Sequence, residues 1–208
     1  MLTVGPIQEN CFLIRREGSD RALIVDPGEE ADRLLAAIEE LGVTLEGILL
    51  THTHFDHVGA VAPVARATGA EVWVPELEKG VLADINSYVS WPELGPFESW
   101  EAEHTVAGGE RLQLAGIDID VLFTPGHSPG HVSFHVADEQ ALFSGDVLFQ
   151  GSIGRTDLPG GDARVLMETL RTLADALPDE TVVHPGHMGI TTIGAERATN
   201  PFLTQLAG

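Results

Sequence analysis

The sequence predicts an α+β chain folded as an αββα sandwich, with two sheets face to face and helices on the outside. Two observations carry this. Strand-like stretches fall into two groups, one before residue 75 and one after residue 110, and each group is followed by helices. The strongest helical patterns are also apolar on one side only, as expected of helices that cover a sheet.

In order, residues 10–16 and 21–25 read as strands, with Glu17-Gly18-Ser19-Asp20 as the turn between them. Asp26-Pro27-Gly28 stops the second strand. Ala31, Leu34, Leu35, Ile38 and Leu41 then recur at helical spacing up to Gly42. Residues 46–50 form a short buried strand, 56–67 a helix closed by Gly69, and 71–74 another strand. Residues 76–104 form an irregular insertion: a helix near 76–84, then a long loop that could serve as a lid. Strand signals return at 110–114, 117–123, 131–136 and 140–144. Asp162 caps a helix to about residue 177 that aligns Leu166, Leu170, Leu173 and Leu177, and Pro178 stops it. A strand at 181–184 and a short helix at 193–199 complete the pattern.

The length of 208 residues fits one domain spanning 1–208, with 43% hydrophobic residues to fill its core. Eleven Lys and Arg against 32 Asp and Glu give a net charge of -21. Nucleic-acid binders gain affinity by neutralising phosphates with basic side chains, so no nucleic-acid partner is expected. The same charge argues against an anionic membrane surface, and no run approaches ~18 apolar residues, so no membrane association is expected. The first residues lack the basic and apolar regions of a signal peptide, and Cys11 is the lone cysteine, which together suggest a cytoplasmic protein. Cys11 sits in an apolar run and reads as a buried, inert thiol.

The chemistry concentrates in Thr51-His52-Thr53-His54-Phe55-Asp56-His57, directly after the buried strand at 46–50. In extended backbone, alternate residues face the same way, so His52 and His54 can point at one ion. The turn into the following helix can swing Asp56 and His57 toward a second point nearby. Zinc takes four ligands, so other segments must contribute. Thr124-Pro125-Gly126-His127, Ser144-Gly145-Asp146 and Val183-His184-Pro185-Gly186-His187 each place His or Asp just past a strand, at turns that Pro and Gly sharpen. Burying so many titratable groups together is costly without a cation. His131 and His135 read as packing or supporting groups. His184 could orient a ligand, Asp26 could hydrogen-bond a metal-site His, and His104 falls in the irregular loop.

These motifs, in this order, resemble the metallo-β-lactamase fold superfamily, and within it the glyoxalase II (hydroxyacylglutathione hydrolase) branch. The similarity extends through Thr124-Pro125-Gly126-His127-Ser128-Pro129-Gly130-His131 and is greatest to a short bacterial subgroup, carried by residues 145–157 and 196–203. The resemblance implies the αββα metallo-β-lactamase fold and two divalent metal ions, of zinc, iron or manganese. It implies that His52, His54 and His127 hold the first ion, that Asp56, His57 and His187 hold the second, and that Asp146 bridges them. It marks Asp56 as catalytic and Arg155 as a basic substrate contact. The implied activity is hydrolysis of a small-molecule acyl thioester by a metal-bridging hydroxide. Full-length glyoxalase II continues into a helical domain that helps bind glutathione, whereas this sequence ends soon after Pro201.

The main alternative is a persulfide dioxygenase, which also resembles residues 154–157 and the tail from Glu196. It would hold one iron through His52, His127 and Asp146. A complete second ligand set, including His187, favours the two-metal hydrolase. A nuclease is disfavoured by the acidic balance, and a β-lactamase by the absence of an export signal. A non-enzymatic metal-binding module is the remaining reading. No Gly-x-Ser-x-Gly elbow supports a serine nucleophile.

Overall fold

The computed structural model describes residues 1–89 and 91–206; position 90, inside the insertion, lies outside the described residues, as do 207 and 208. The first half contains β1 (Leu2–Val4), β2 (Glu9–Ile14), β3 (Arg21–Val25), β4 (Thr44–Leu49), β5 (Glu71–Pro75) and β6 (His104–Val106). They lie side by side in that order. The two pairings among β1, β2 and β3 are antiparallel, and those from β3 to β6 are parallel. Parallel neighbours need crossovers. These are α1 (Ala31–Leu41) before β4, then α2 (Phe55–Val58) and α3 (Val61–Thr68) before β5. The insertion, with α4 (Lys79–Ala83), makes the crossover to β6.

The second half contains β7 (Arg111–Leu114), β8 (Ile117–Phe123), β9 (Val132–Val136) and β10 (Ala141–Gly145). A small hairpin of β11 (Leu148–Phe149) and β12 (Ser152–Ile153) precedes α5 (Ala163–Ala176). β13 (Val182–Pro185), β14 (Thr191–Thr192), α6 (Ile193–Thr199) and α7 (Pro201–Leu206) follow. The second sheet runs β14-β13-β10-β9-β8-β7. Its one parallel junction, β10 to β13, is crossed by α5.

Side-chain alternation then sorts the apolar residues into three cores. Ala22, Ile24, Ile48 and Val72 face outward against Leu34 and Ile38 of α1 and Val61 and Val64 of α3. Their strand neighbours Leu23, Val25 and Leu49 face Ile119, Val121 and Phe134 of the other sheet. Leu142 and Val183 pack beneath Leu166, Leu170 and Leu173 of α5. Three cores separate four layers, so the αββα expectation holds. It also explains why the central strands read as continuous apolar runs, since both of their faces are buried.

The structure corrects several boundaries. The helix expected at 56–67 is two helices, because the Ala60 N–H donates to Pro27 O (3.0 Å) and leaves the helical ladder. The loop expected after 84 is more regular: short helical turns occupy 85–87 and 92–94, and the Asn86 side chain bridges to both the N–H and the carbonyl of Phe97. His104 lies in strand β6 rather than in a loop, stacked on Trp73 (4.3 Å between centroids) and 2.7 Å from Glu71 Oε2. His131 falls just before β9 rather than within it. β1, the β11–β12 hairpin and β14 were not anticipated, because two or three residues carry no readable period. Among the described residues no helix is long and apolar enough to cross a membrane.

Candidate metal centre

The C-terminal ends of β3, β4, β10 and β13 and the turn after β8 meet along one edge of the sandwich, and all seven predicted residues converge there. Thr51, two residues past β4, donates from its N–H (2.7 Å) and its hydroxyl (2.6 Å) to Asp26, one residue past β3. Asp26 has φ 49, a left-handed conformation that is costly for a non-glycine and typical of constrained sites. The Thr51 hydroxyl hydrogen is thereby committed to Asp26, so Thr51 Oγ1 accepts from His52 Nδ1 at 3.0 Å. His52 Nε2 is left with a lone pair, 3.1 Å from His54 Nδ1, which lies 2.8 Å from His127 Nε2. His127 Nδ1 faces the carbonyl of Arg155 at 2.7 Å; a carbonyl only accepts, so His127 Nε2 also carries a lone pair. Three imidazole nitrogens therefore face one point, and the set could hold one ion.

A second set lies beside it. Asp56 Oδ2 is 3.2 Å from His187 Nε2 and 3.8 Å from His57 Nε2, and these three could hold another ion. His57 Nδ1 donates to Asp26 Oδ2 at 3.0 Å, which turns Nε2 inward. Asp146 stands between the sets. Its Oδ2 is 3.5 Å from both His127 Nε2 and His187 Nε2, and its Oδ1 is 3.4 Å from His57 Nε2. Asp146 Oδ1 and His57 Nε2 are buried yet make no hydrogen bond. An orphaned carboxylate oxygen and an inward imidazole nitrogen suit a shared cation, so the donor set fits a metal centre. Asp26, His52 and His57 also cluster, but the atoms involved are already engaged in hydrogen bonds, so this group supports the other two.

Electrostatics follow from burial and from these neighbours. Burial, reinforced by the surrounding imidazoles, holds His52 well below its ordinary range and lowers His54 to about 4, so both are neutral at pH 7. Burial also opposes charge on His57, but the carboxylates of Asp146 and Asp56 outweigh it and raise the group well above 6.5. Burial would raise Asp146, and His57 instead brings it below the usual carboxylate range. The second set thus demands positive charge, which a divalent ion would supply.

Further residues hold the ligand loops. Glu78, buried in the insertion, accepts from Thr53 N (2.7 Å), Thr53 Oγ1 (2.9 Å), Gly130 N (2.9 Å) and Ser128 Oγ. It thereby ties the segment between His52 and His54 to the turn that carries His127. Asn10 Nδ2 donates to Pro185 O (3.1 Å) and Met188 O (2.9 Å), clamping the turn that carries His187. His131 Nε2 accepts from Asp146 N at 3.1 Å, while its Nδ1 meets Thr124 Oγ1 at 2.9 Å. Gly186 is required by proximity: a Cβ there would lie 2.3 Å from Asp146 Oδ1 and 2.7 Å from His57 Cε1. Glu196 accepts from Gly151 N (2.8 Å), Asn200 Nδ2 (2.8 Å) and Thr191 Oγ1 (2.6 Å), anchoring α6 to the hairpin after Asp146.

The centre opens into a cavity of about 720 Å³. His54, Asp56, His127, Asp146 and His187 line its floor, and Arg155 lies on its rim. Arg155 is half-exposed and donates to both carboxylate oxygens of Asp157, at 2.7 and 2.6 Å. His184 departs from its sequence expectation. It lies against Phe143 and Phe12 at ring-centroid distances of 5.0 and 5.4 Å and makes no hydrogen bond to a metal-site residue. Sequence reasoning missed Glu78 and Asn10. Their signal was a polar residue inside a stretch whose neighbours are buried, which is legible only once the fold is known.

A family model matches this arrangement: that of the Metallo-beta-lactamase superfamily, over residues 4–187. The chain belongs to this superfamily. A relative within it, the hydroxyacylglutathione hydrolase GloC of Haemophilus influenzae, is 40% identical over 98% of this chain and 96% of its own length. Among solved structures, the BLEG-1 B3 metallo-beta-lactamase superposes with a TM-score of 0.92 at 40% identity, covering 97% of each chain. A di-iron-bound form of TTHA1623 superposes with a TM-score of 0.86 at 41% identity, covering 97% of this chain and 98% of the other. Superfamily membership and these relatives support a metal-dependent hydrolase in general.

Proposed function

We propose that the protein is a two-metal hydrolase of small acyl thioesters. His52, His54 and His127 would hold one ion, Asp56, His57 and His187 the other, and Asp146 would lie between them. One observation carries the two-ion part: three imidazoles are locked by outside acceptors (Thr51 Oγ1, Arg155 O and Asp26) so that their inner nitrogens carry lone pairs or lack a partner. Such outer partners fix ligand histidines in metal sites. The kinship with a hydroxyacylglutathione hydrolase supports the thioester part.

A bound pair of divalent ions supplies hydroxide at neutral pH and a field that stabilises an oxyanion. The chain's own residues do the rest. His52 and His54, kept neutral by burial, stay available as donors at pH 7. Asp56, which lines the cavity, would orient the attacking water. The chemistry is R–CO–S–R′ + H₂O giving R–COOH and HS–R′. A thiol with pKa near ~8.5 leaves as thiolate without strong protonation, so no separate general acid is needed.

The single-iron dioxygenase reading would use His52, His127 and Asp146 alone. It gives no role to the convergence of Asp56, His57 and His187, which favours the hydrolase. The test combines metal analysis with a panel of thioesters, a persulfide and a β-lactam on one preparation. The expected outcome is two ions per chain, thioester cleavage, and loss of that cleavage in His127→Ala and Asp146→Asn. Full thioesterase activity in metal-stripped protein, or one iron per chain with oxygen uptake on the persulfide, would overturn the proposal.

A further inference from the structure

The cavity above the metal centre is apolar on both sides, with Phe149, Ile153, Leu158 and Pro159 lining it outside the insertion, and its sides differ in where the cationic side chain lies. On the insertion side Leu77, Val81, Ile85, Val89 and Trp91 line it, with Phe55 beside Asp56; the polar groups there are the Tyr88 hydroxyl and Glu78, whose oxygens are taken by Thr53, Ser128 and Gly130. Phe55 is itself held by Phe97 (5.6 Å) and Trp91 (6.1 Å). Among the described residues on the lining, Arg155 is the one Lys or Arg, and it sits on the loop after β12 with its guanidinium paired to Asp157. Leu77 and Trp91 remain 68% and 38% exposed, as do Ile7 and Met188 of the lining at 44% and 56%. Glutathione-like carriers bring carboxylates and an ammonium, and a 2-hydroxyacyl group brings a hydroxyl. Among its described residues the insertion wall has the Tyr88 hydroxyl and the Trp91 indole N–H to bond them with, and a polar group buried against the rest of it without a partner is penalised.

We propose, resting on the thioesterase reading, that the insertion wall is the acyl-chain subsite and that it selects apolar acyl groups. The charged or polar thiol carrier then lies toward Arg155 and the open mouth. Burial of each methylene against this wall raises kcat/KM by about fourfold until the wall is covered. A lactoyl thioester is a poorer substrate than the butanoyl thioester of the same thiol.

The test uses metal-loaded protein and N-acetylcysteamine thioesters from acetyl to octanoyl, with lactoyl included, and a second series that varies the thiol under a constant acetyl group. In parallel, calorimetry measures binding of acetate, butanoate and hexanoate. The expected result is a steep rise along the acyl series, a flat thiol series, tighter binding of hexanoate than acetate, and a shallower acyl slope in Val81→Thr and Leu77→Asn. Thioesters cleaved with less than a twofold gain from acetyl to hexanoyl, or a rise confined to the thiol series, overturn the subsite and leave the hydrolase standing. No thioester cleaved, but carboxylates bound with the same chain dependence, sustains the apolar subsite and removes the thioesterase reading. Equal binding of acetate and hexanoate without any cleavage overturns both.

Discussion

Glu78 offers the sharpest test of how the ligand loops are held. It comes from the insertion, is only 3% exposed, and is the shared acceptor for Thr53, Ser128 and Gly130. In Glu78→Gln an amide NH₂ replaces one oxygen and faces either the Thr53 pair of donors or the Ser128 and Gly130 pair. The hydroxyl of either pair can turn and accept from the amide, so the backbone N–H is the donor left without an acceptor, and an unsatisfied buried donor costs ~1–3 kcal/mol. With the buried amide NH₂ also poorly placed, about 2–3 kcal/mol of stability should be lost. For a chain of this size that corresponds to a Tm lower by roughly 4–12 °C. The separation of the two His-bearing loops matters more for function. Disturbing groups that orient ligands typically weakens metal binding about 10–100-fold. Chelator competition followed by metal analysis should show that loss, with kcat/KM falling in step. Glu76→Gln, on an exposed neighbour, serves as the control and should match wild type. Wild-type melting and metal affinity in Glu78→Gln would show that the insertion does not hold the site.

Three other perturbations follow from the geometry. Asn10→Ala frees the turn bearing His187, so occupancy should fall from two ions toward one per chain, with a stability loss of about 1–3 kcal/mol read by urea titration. Gly186→Ala places a methyl against Asp146 Oδ1 and His57, so metal content and turnover should collapse while far-ultraviolet circular dichroism stays native. Metal-free protein should lose stability between pH 6.5 and about 4. His52, His54 and His131 resist protonation when folded, so the unfolded chain takes up more protons as pH falls through its own histidine range. Glu9, raised by burial, opposes this by one proton, while His135 and His184, lowered by partial burial, add to it, so the net is about two or more. Two protons correspond to a slope of about 2.7 kcal/mol per pH unit. His57 and His187 are raised, so their contribution is fully present below pH 6.5 and is lost only as pH rises through their folded values. A urea midpoint that holds steady or climbs from pH 6.5 to 4.5 contradicts this balance.

Much of the architecture could be read locally. Four layers were legible because alternation and helical spacing are short-range patterns, as in Leu23 and Ile24 of β3 or Leu166 and Leu170 of α5. His52, His54, Asp56 and His57 were legible for the same reason, since one seven-residue segment holds them. His127, Asp146 and His187 are marked by the turns after strands, but the ligand role of each is implied only by the resemblance. Short elements escaped because period needs length, and the break at Ala60 escaped because Pro27, far away in the chain, takes its N–H.

The sequence alone determined most of the inventory: the longer strands and helices, and which side chains could donate to a metal. Only the tertiary structure decided orientation, because a ring's inward nitrogen is set by whatever accepts from its other side. Those acceptors, Asp26 for His57 and the Arg155 carbonyl for His127, are 31 and 28 residues away. The same holds for Asn10, which meets Met188 across 178 residues, and for the insertion, whose polar anchor and apolar wall face one cavity. Contacts between segments so far apart depend on strand order and layer packing, which no local pattern of residues encodes.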